Sequence, residues 1–135
     1  MKLNFITIMV RDMDKTISFY RELAGLKIVR RFSPGQSDIA LMADAEGDTA
    51  LEFIFNAEAE KASARGLTLS FQARGSLEAL REKAVAMGYS PSGILNQPPK
   101  PPHFVLTDPD GAGFVIRNFL KGVTDPATVK HAYVP

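Results

Sequence analysis

Residues 3–25, LNFITIMVRDMDKTISFYRELAG, decide how the rest of the chain is read. Ile6, Ile8 and Val10 alternate with Phe5, Thr7 and Met9, the period of a strand with two different faces. Asp12 then predicts a helix start, because its carboxylate can accept from the free amides of a first turn. Met13, Ile17, Tyr20 and Ala24 follow at spacings of 4, 3 and 4, which gives one apolar stripe, and Gly25 supplies a left-handed exit. The same plan returns in residues 66–88, GLTLSFQARGSLEALREKAVAMG. Laying Gly25 on Gly88 sets an offset of 63 residues, which also lays Ile8 on Phe71 and Ile17 on Leu80. The repeat implies two copies of one small unit, with function expected in the cleft between them.

The rest of each half fills in around this plan. LKIVRRF (26–32), DIALMA (38–43) and TALEFIF (49–55) read as strands, separated by turns at Ser33-Pro34-Gly35 and Ala45-Glu46-Gly47-Asp48. Residues 56–65 are polar and alanine-rich and read as a connector. In the second half Leu67, Leu69, Phe71 and Ala73 alternate with Thr68, Ser70 and Gln72, giving a core face and a wettable face. Ser76 caps a helix whose stripe is Leu77, Leu80, Ala84 and Met87. Tyr89 to Leu95, interrupted by Pro91 and Gly93, reads as a weak edge strand. Gln97 to Pro102 reads as a stiff extended loop. HFVLT (103–107) and GFVIRNF (113–119) form a hairpin across Asp108-Pro109-Asp110-Gly111. Residues 120–135 read as a tail with a short helix after Pro126.

Composition narrows the class. The 135 residues carry a net charge of +1, which gives no pull toward nucleic acid or a membrane surface. Nine Phe and 45% hydrophobic residues support a folded core. No run is long enough to span a bilayer and no signal-peptide pattern opens the chain, so a cytoplasmic location is expected. Cysteine is absent, which removes disulfides, thiolate ligands and a Cys nucleophile. The two histidines are His103 and His131.

Taken together, these motifs resemble the vicinal oxygen chelate superfamily of glyoxalase I, bleomycin-resistance proteins and extradiol dioxygenases. The resemblance is carried by the twice-used β-α-β-β-β unit, by Val10-Arg11-Asp12 with Phe19-Tyr20, by Gly25 before a strand, and by Asp108-Pro109-Asp110-Gly111 before the last strand. It implies an α+β fold in which two modules, 3–55 and 66–119, form one domain over 1–135. Their mixed sheets would curl around a cleft, commonly completed in a homodimer. It also implies four metal-ligand positions, on the first and last strand of each module. Those positions fall on Phe5, Glu52, Thr68 and Val115 here, or on Ile116 instead of Val115 if the Gly47–Gly111 offset of 64 applies. One carboxylate and one hydroxyl do not make a tight transition-metal site, so no metal of the family type is expected.

The faces turned from the helices are expected to line the cleft with Phe5, Thr7, Met9, Glu52, Ile54, Thr68, Ser70, Gln72, Val115 and Arg117, and His103 at its mouth. This mixed lining suits a small organic ligand with an apolar body and polar handles. The alternative is a closed core, which fits Phe5, Met9 and Ile54 as well, and fits Thr68, Ser70 and Gln72 less well because their polar groups would need partners. Glu52 reads first as a carboxylate paired with Arg117 or Thr68, then as a general base, then as a residual metal ligand. Arg117 reads equally as an anion clamp and as a snorkelling surface residue. His103 reads first as a polar strand end, and Lys27, Arg30 and Arg31 as a solvated basic face. The expected function is metal-independent binding of a small molecule. A glyoxalase-like lyase, isomerase or dioxygenase using Glu52 is the alternative, and a protein-interaction module a third.

Overall fold

The computed structural model describes residues 1–59 and 64–118. Along the chain run β1 (Phe5–Met9), α1 (Met13–Glu22), β2 (Lys27–Phe32), β3 (Ser37–Ala43), β4 (Ala50–Asn56), β5 (Thr68–Gln72), α2 (Leu77–Ala86), β6 (His103–Thr107) and β7 (Gly113–Arg117). One sheet has the order β1-β4-β3-β2 and the other the order β5-β7-β6. The fold is therefore mixed α+β with two open sheets. Part of the expected connector, the expected tail at 120–135, the helix after Pro126 and His131 lie outside the described residues.

Both helices begin as their sequences predict. Asp12 accepts from the Lys15 amide and Ser76 from the Ala79 amide, each satisfying a donor that a helix start leaves free. Gly25 (φ +69°) and Gly88 (φ +93°) occupy the left-handed region after the two helices, where a side chain would clash with the backbone.

Strand pairing repeats at the offset read from the sequence. In the first sheet β1 runs parallel to β4. Flanking bonds run from the Ala50 amide to the Asn4 carbonyl and from the Val10 amide to the Ile54 carbonyl. In the second sheet the Gly113 amide donates to Leu67 and the Ala73 amide to Arg117. Each partner lies 63 residues beyond its counterpart, so the competing offset of 64 does not hold for these strands. Because side chains alternate with period 2, a slip of one would have turned every residue to the other face.

Tyr89 to Leu95 does not form the expected strand; only Leu95 bridges, to His103. Pro91 has no amide to give, and the Ser92 carbonyl is taken by Arg81 Nε at 2.7 Å. Ser92 instead meets Val105 with its amide and its hydroxyl, which accepts from the Val105 amide at 3.0 Å. The proline-rich loop is likewise not extended. The Lys100 amide reaches the Gln97 carbonyl at 3.0 Å, a turn that lets the chain double back so that His103 can face Leu95.

The described chain divides into two compact units. The first comprises Met1–Thr68 with Thr107–Gly113, and the second Leu69–Leu106 with Phe114 to residue 118. In the first unit α1 packs on β4: Tyr20 lies edge-on to Phe19 and 4.9 Å from Phe53, and Ile8, Met42 and Ala40 are buried with them. In the second unit Phe71 stacks on Phe114 at 4.9 Å, and Leu77, Ala84, Phe104, Leu106 and Ile116 are buried.

The turn at Asp108–Gly111 belongs to the first unit through two buried carboxylates. Asp108 Oδ1 accepts from the Asp110 and Ala112 amides, and its Oδ2 accepts from the Tyr20 hydroxyl at 2.6 Å. Burial, and then the Asp108 charge, push the Tyr20 phenol far above its ordinary value, so it remains a donor. Asp110 accepts from the Arg11 amide and the Thr16 hydroxyl, with the Arg11 guanidinium 3.9 Å away. Burial raises its pKa above the ordinary carboxylate value, against the lowering effect of the Arg11 amide bond.

Two outcomes follow for stability. Tyr20→Phe strands a lone pair of a buried carboxylate and should lower the unfolding free energy by about 1.5–3 kcal/mol in urea melts, the range for bonds to charged groups. Asp110 holds its proton more tightly folded than unfolded. Its protonation therefore adds stability that is present below the ordinary carboxylate value and is lost as pH rises through the raised one. An Asp110→Asn variant, which can still accept from Arg11, should gain stability relative to the parent as pH rises from 3 to 7, as followed by urea melts across that interval (roughly the span of carboxylate titration).

Candidate functional site

The candidate site is built on the face of the four-stranded sheet that turns away from α1. The other face carries Ile8, Phe53, Ala40 and Met42, all buried. On the open face the ladder sets Thr7 opposite Glu52, Glu52 opposite Leu41 and Leu41 opposite Arg30, one row across four strands. The neighbouring row reads Met9, Ile54, Ile39 and Phe32 by the same pairing. Phe5 stands one step along β1 and is 43% exposed; Phe32 is 36% exposed. Met9, Ile39, Leu41, Glu52 and Ile54 are half-buried.

Glu52 is the carboxylate of this face. Its Oε1 accepts from the Thr7 hydroxyl at 2.8 Å, so the bond expected from Thr68 is supplied instead by the residue directly opposite on the parallel strand. A carboxylate has about four acceptor positions, which leaves Glu52 able to take further donors. At the far end of the row the Arg30 guanidinium lies 4.7 Å over the Phe32 ring, a cation–π contact. Arg31 points to the other face and pairs with Asp38 at 2.8 Å, which lowers the Asp38 pKa.

The remaining residues read from the sequence fall in or beside the second sheet. Thr68 stands over Gly113: a Cβ at position 113 would lie 2.6 Å from Thr68 Oγ1 and 3.3 Å from the Leu67 carbonyl. Thr68, Ser70 and Gln72 share the exposed face of β5. The repeated strand pairing sets Ser70 and Val115 in the positions that Thr7 and Glu52 hold in the first sheet. Bonds from the Asn118 amide to Pro102 and from the Asp108 amide to Ala112 fix the β6–β7 hairpin, placing His103 opposite Arg117 on the same face as Val115. His103 is buried, and its Nδ1–H donates to the Pro101 carbonyl at 2.9 Å. The structure thus brings Phe5, Thr7, Met9, Glu52 and Ile54 onto one face, and Ser70, Gln72, His103, Val115 and Arg117 onto another.

The sequence reading missed Ile39, Leu41, Arg30 and Phe32 as neighbours of Glu52. The alternation in DIALMA carried a signal for the first two. The bulge between Ile28 and Arg30 shifts the phase of β2, so simple alternation does not place Arg30.

A pair of open mixed sheets, each with its first strand parallel to its last and a helix after the first strand, defines a protein built on a repeated plan, β-α-β-β-β in the first copy and β-α-β-β in the second. The sequence model of the Glyoxalase/Bleomycin resistance protein/Dioxygenase superfamily matches residues 2–116, and the chain belongs to that superfamily. No curated protein matches it in sequence. Among solved structures, the trypanothione-dependent glyoxalase I of Leishmania major is similar with a TM-score of 0.73 and 17% identity, over 98% of this chain and 92% of that one. TnmS3, an antibiotic binding protein from Streptomyces sp. CB03234, is similar with a TM-score of 0.68 and 18% identity, over 87% and 95%. YycE of Bacillus subtilis, a protein of unknown function grouped with glyoxalase and fosfomycin-resistance proteins, has a TM-score of 0.68 and 25% identity, over 88% and 92%.

The positions at which enzymes of the superfamily hold a divalent metal can be tested against these residues. The first sheet offers Phe5 and Glu52, and the second Thr68 and Val115, with the repeated pairing selecting Val115 over Ile116. Phe and Val have no donor atom, and Thr68 is turned over Gly113. These side chains do not fit a tightly held divalent ion.

The Thr68–Gly113 approach gives a direct test of that register. Gly113→Ala should destabilise the protein, and by less when Thr68 is also Ala, as read from the coupling in a double-mutant cycle of urea melts.

Proposed function

We propose that the chain binds a small organic molecule without a metal, using the Glu52 face. The observation that carries this reading is the Glu52 carboxylate, held by Thr7 and flanked by the half-buried Met9, Ile39, Leu41 and Ile54 on one sheet face. Met9, Ile39, Leu41 and Ile54 offer area to an apolar body, Phe5 offers an exposed ring, and Glu52 and Thr7 offer polar handles. On the second sheet Thr68, Ser70, Gln72, Val115, Arg117 and His103 are proposed as ligand contacts of their own face. His103 has its Nδ1 proton committed to Pro101, which leaves Nε2 for any ligand contact. That TnmS3 is an antibiotic binding protein supports a binding role within this fold.

The same proposal includes a homodimer, as the family resemblance implies, and a cytoplasmic location. No described helix is long and apolar enough to cross a membrane.

Purified protein should hold far less than one equivalent of Ni, Zn, Mn or Fe by elemental analysis, and a thermal-shift screen of metabolites and antibiotics should return stabilising organic ligands. Stoichiometric metal would overturn the metal-free reading. Turnover of a hemithioacetal that disappears in Glu52→Gln would replace binding with catalysis. Light scattering should give about twice the mass of one chain at micromolar concentration; a monomer would remove the dimer from the proposal.

A further inference from the structure

We infer that the molecule bound at the Glu52 face is a cationic amphiphile, an aromatic or aliphatic body bearing a protonated amine that docks on the Glu52 carboxylate. This rests on the reading of that face as a ligand site and adds the chemical class.

Three features of the face select a cation. Thr7 fills one acceptor position of Glu52, and among the described residues no Lys or Arg pairs with it. A half-buried carboxylate surrounded by Leu41, Ile54 and Met9 has lost part of its hydration, and a ligand seated on those side chains would remove more. An ammonium donating to it restores the lost bonds and is attracted more strongly than in water, because the apolar neighbours lower the local dielectric.

The position of the other charge agrees. Arg30 stands two strands away, about 9.5 Å by ordinary strand spacing, and its guanidinium is turned onto Phe32. An anion placed at the β1–β4 end would meet Glu52 with no Lys or Arg of the described residues paired to it. A cation placed there meets Glu52 with Arg30 far enough away to be largely screened. Phe5 lies on the same strand as Thr7 and exposes its ring, which can stack on an aryl group or face the ammonium.

The test uses the full chain carrying ¹³C-methyl Met and Ile and three matched probes: 4-phenylbutylamine, 4-phenylbutanol and 4-phenylbutyrate. The amine should shift the Met9, Ile39 and Ile54 methyls saturably and bind at least about fivefold more tightly than the alcohol, because its ammonium adds an ion-pair attraction that a neutral hydroxyl lacks. The butyrate should bind most weakly. Glu52→Gln, which keeps an acceptor for Thr7, should cut amine affinity by at least about fivefold and alcohol affinity by less, so that the preference for the amine falls. An unaltered amide spectrum elsewhere confirms that the variant is folded. Equal binding of amine and alcohol, or amine binding indifferent to Glu52→Gln, overturns the cationic class while leaving the ligand face in place. Preference for the butyrate overturns it in favour of an anion read by Arg30. If no probe moves these methyls, the ligand-site reading of the face fails and the inference fails with it.

Discussion

The parallel pairing of the first strand with the last in each sheet is the constraint on which the other features depend. A parallel pair cannot be joined by a tight turn, so the intervening chain must leave the sheet and return. In the first unit that excursion is α1, β2 and β3, and it leaves β4 between β1 and β3. The register of the pair then decides which side chains meet. Thr7 faces Glu52 because Val10 bonds to Ile54 and Ala50 to Asn4. A shift by one residue would bury Glu52 under α1, in the place of Phe53, and expose Phe53 in its stead. An unpaired buried carboxylate is costly enough to forbid that arrangement.

The two buried carboxylates among the described residues are both hydrogen-bonded on each of their oxygens. Asp108 and Asp110 sit in a turn whose sequence suggests only a chain reversal, yet each is aimed into the first unit and met by several donors. Tyr20 is the hinge between the two kinds of force. Its ring packs on Phe19 and Phe53, and its hydroxyl neutralises a lone pair of Asp108 that water cannot reach. Apolar packing alone would fix α1 loosely along its stripe. The hydroxyl bond adds direction, because it is short and accepts little misalignment.

The sequence revealed much of this and hid a definable remainder. Period and punctuation were sufficient for both helices, for the strands at 5–9, 50–56, 68–72 and 103–107, and for the duplication, because each depends on neighbours a few residues away. Ala24 and Met87 marked the ends of the apolar stripes, beyond the helices' last residues at Glu22 and Ala86. Tyr89 to Leu95 was misleading because its pairing was decided by Arg81 and Val105, residues that alternation cannot connect to Ser92. The bond from Thr7 to Glu52 was hidden for a related reason. Faces can be read from one strand, whereas partners require the register between two. Arg30 was hidden by its bulge, which breaks the period on which such reading relies.

Glu52 and its counterpart in the second sheet differ in what their strands supply. A divalent ion needs several donors at once, so replacing even two of four removes most of the binding. A single carboxylate needs no such set to keep its own bond, because Thr7 holds it from the adjacent strand. In the second sheet the same pair reads Ser70 and Val115, a hydroxyl opposite an apolar side chain. On the first sheet Glu52 is an oriented carboxylate flanked by apolar side chains, in one row with Thr7, Leu41 and Arg30. Such a surface has little to offer a bare ion, which needs a shell of oxygens and nitrogens. A ligand that brings its own apolar body needs only one fixed acceptor, and the binding role proposed for the Glu52 face rests on that contrast.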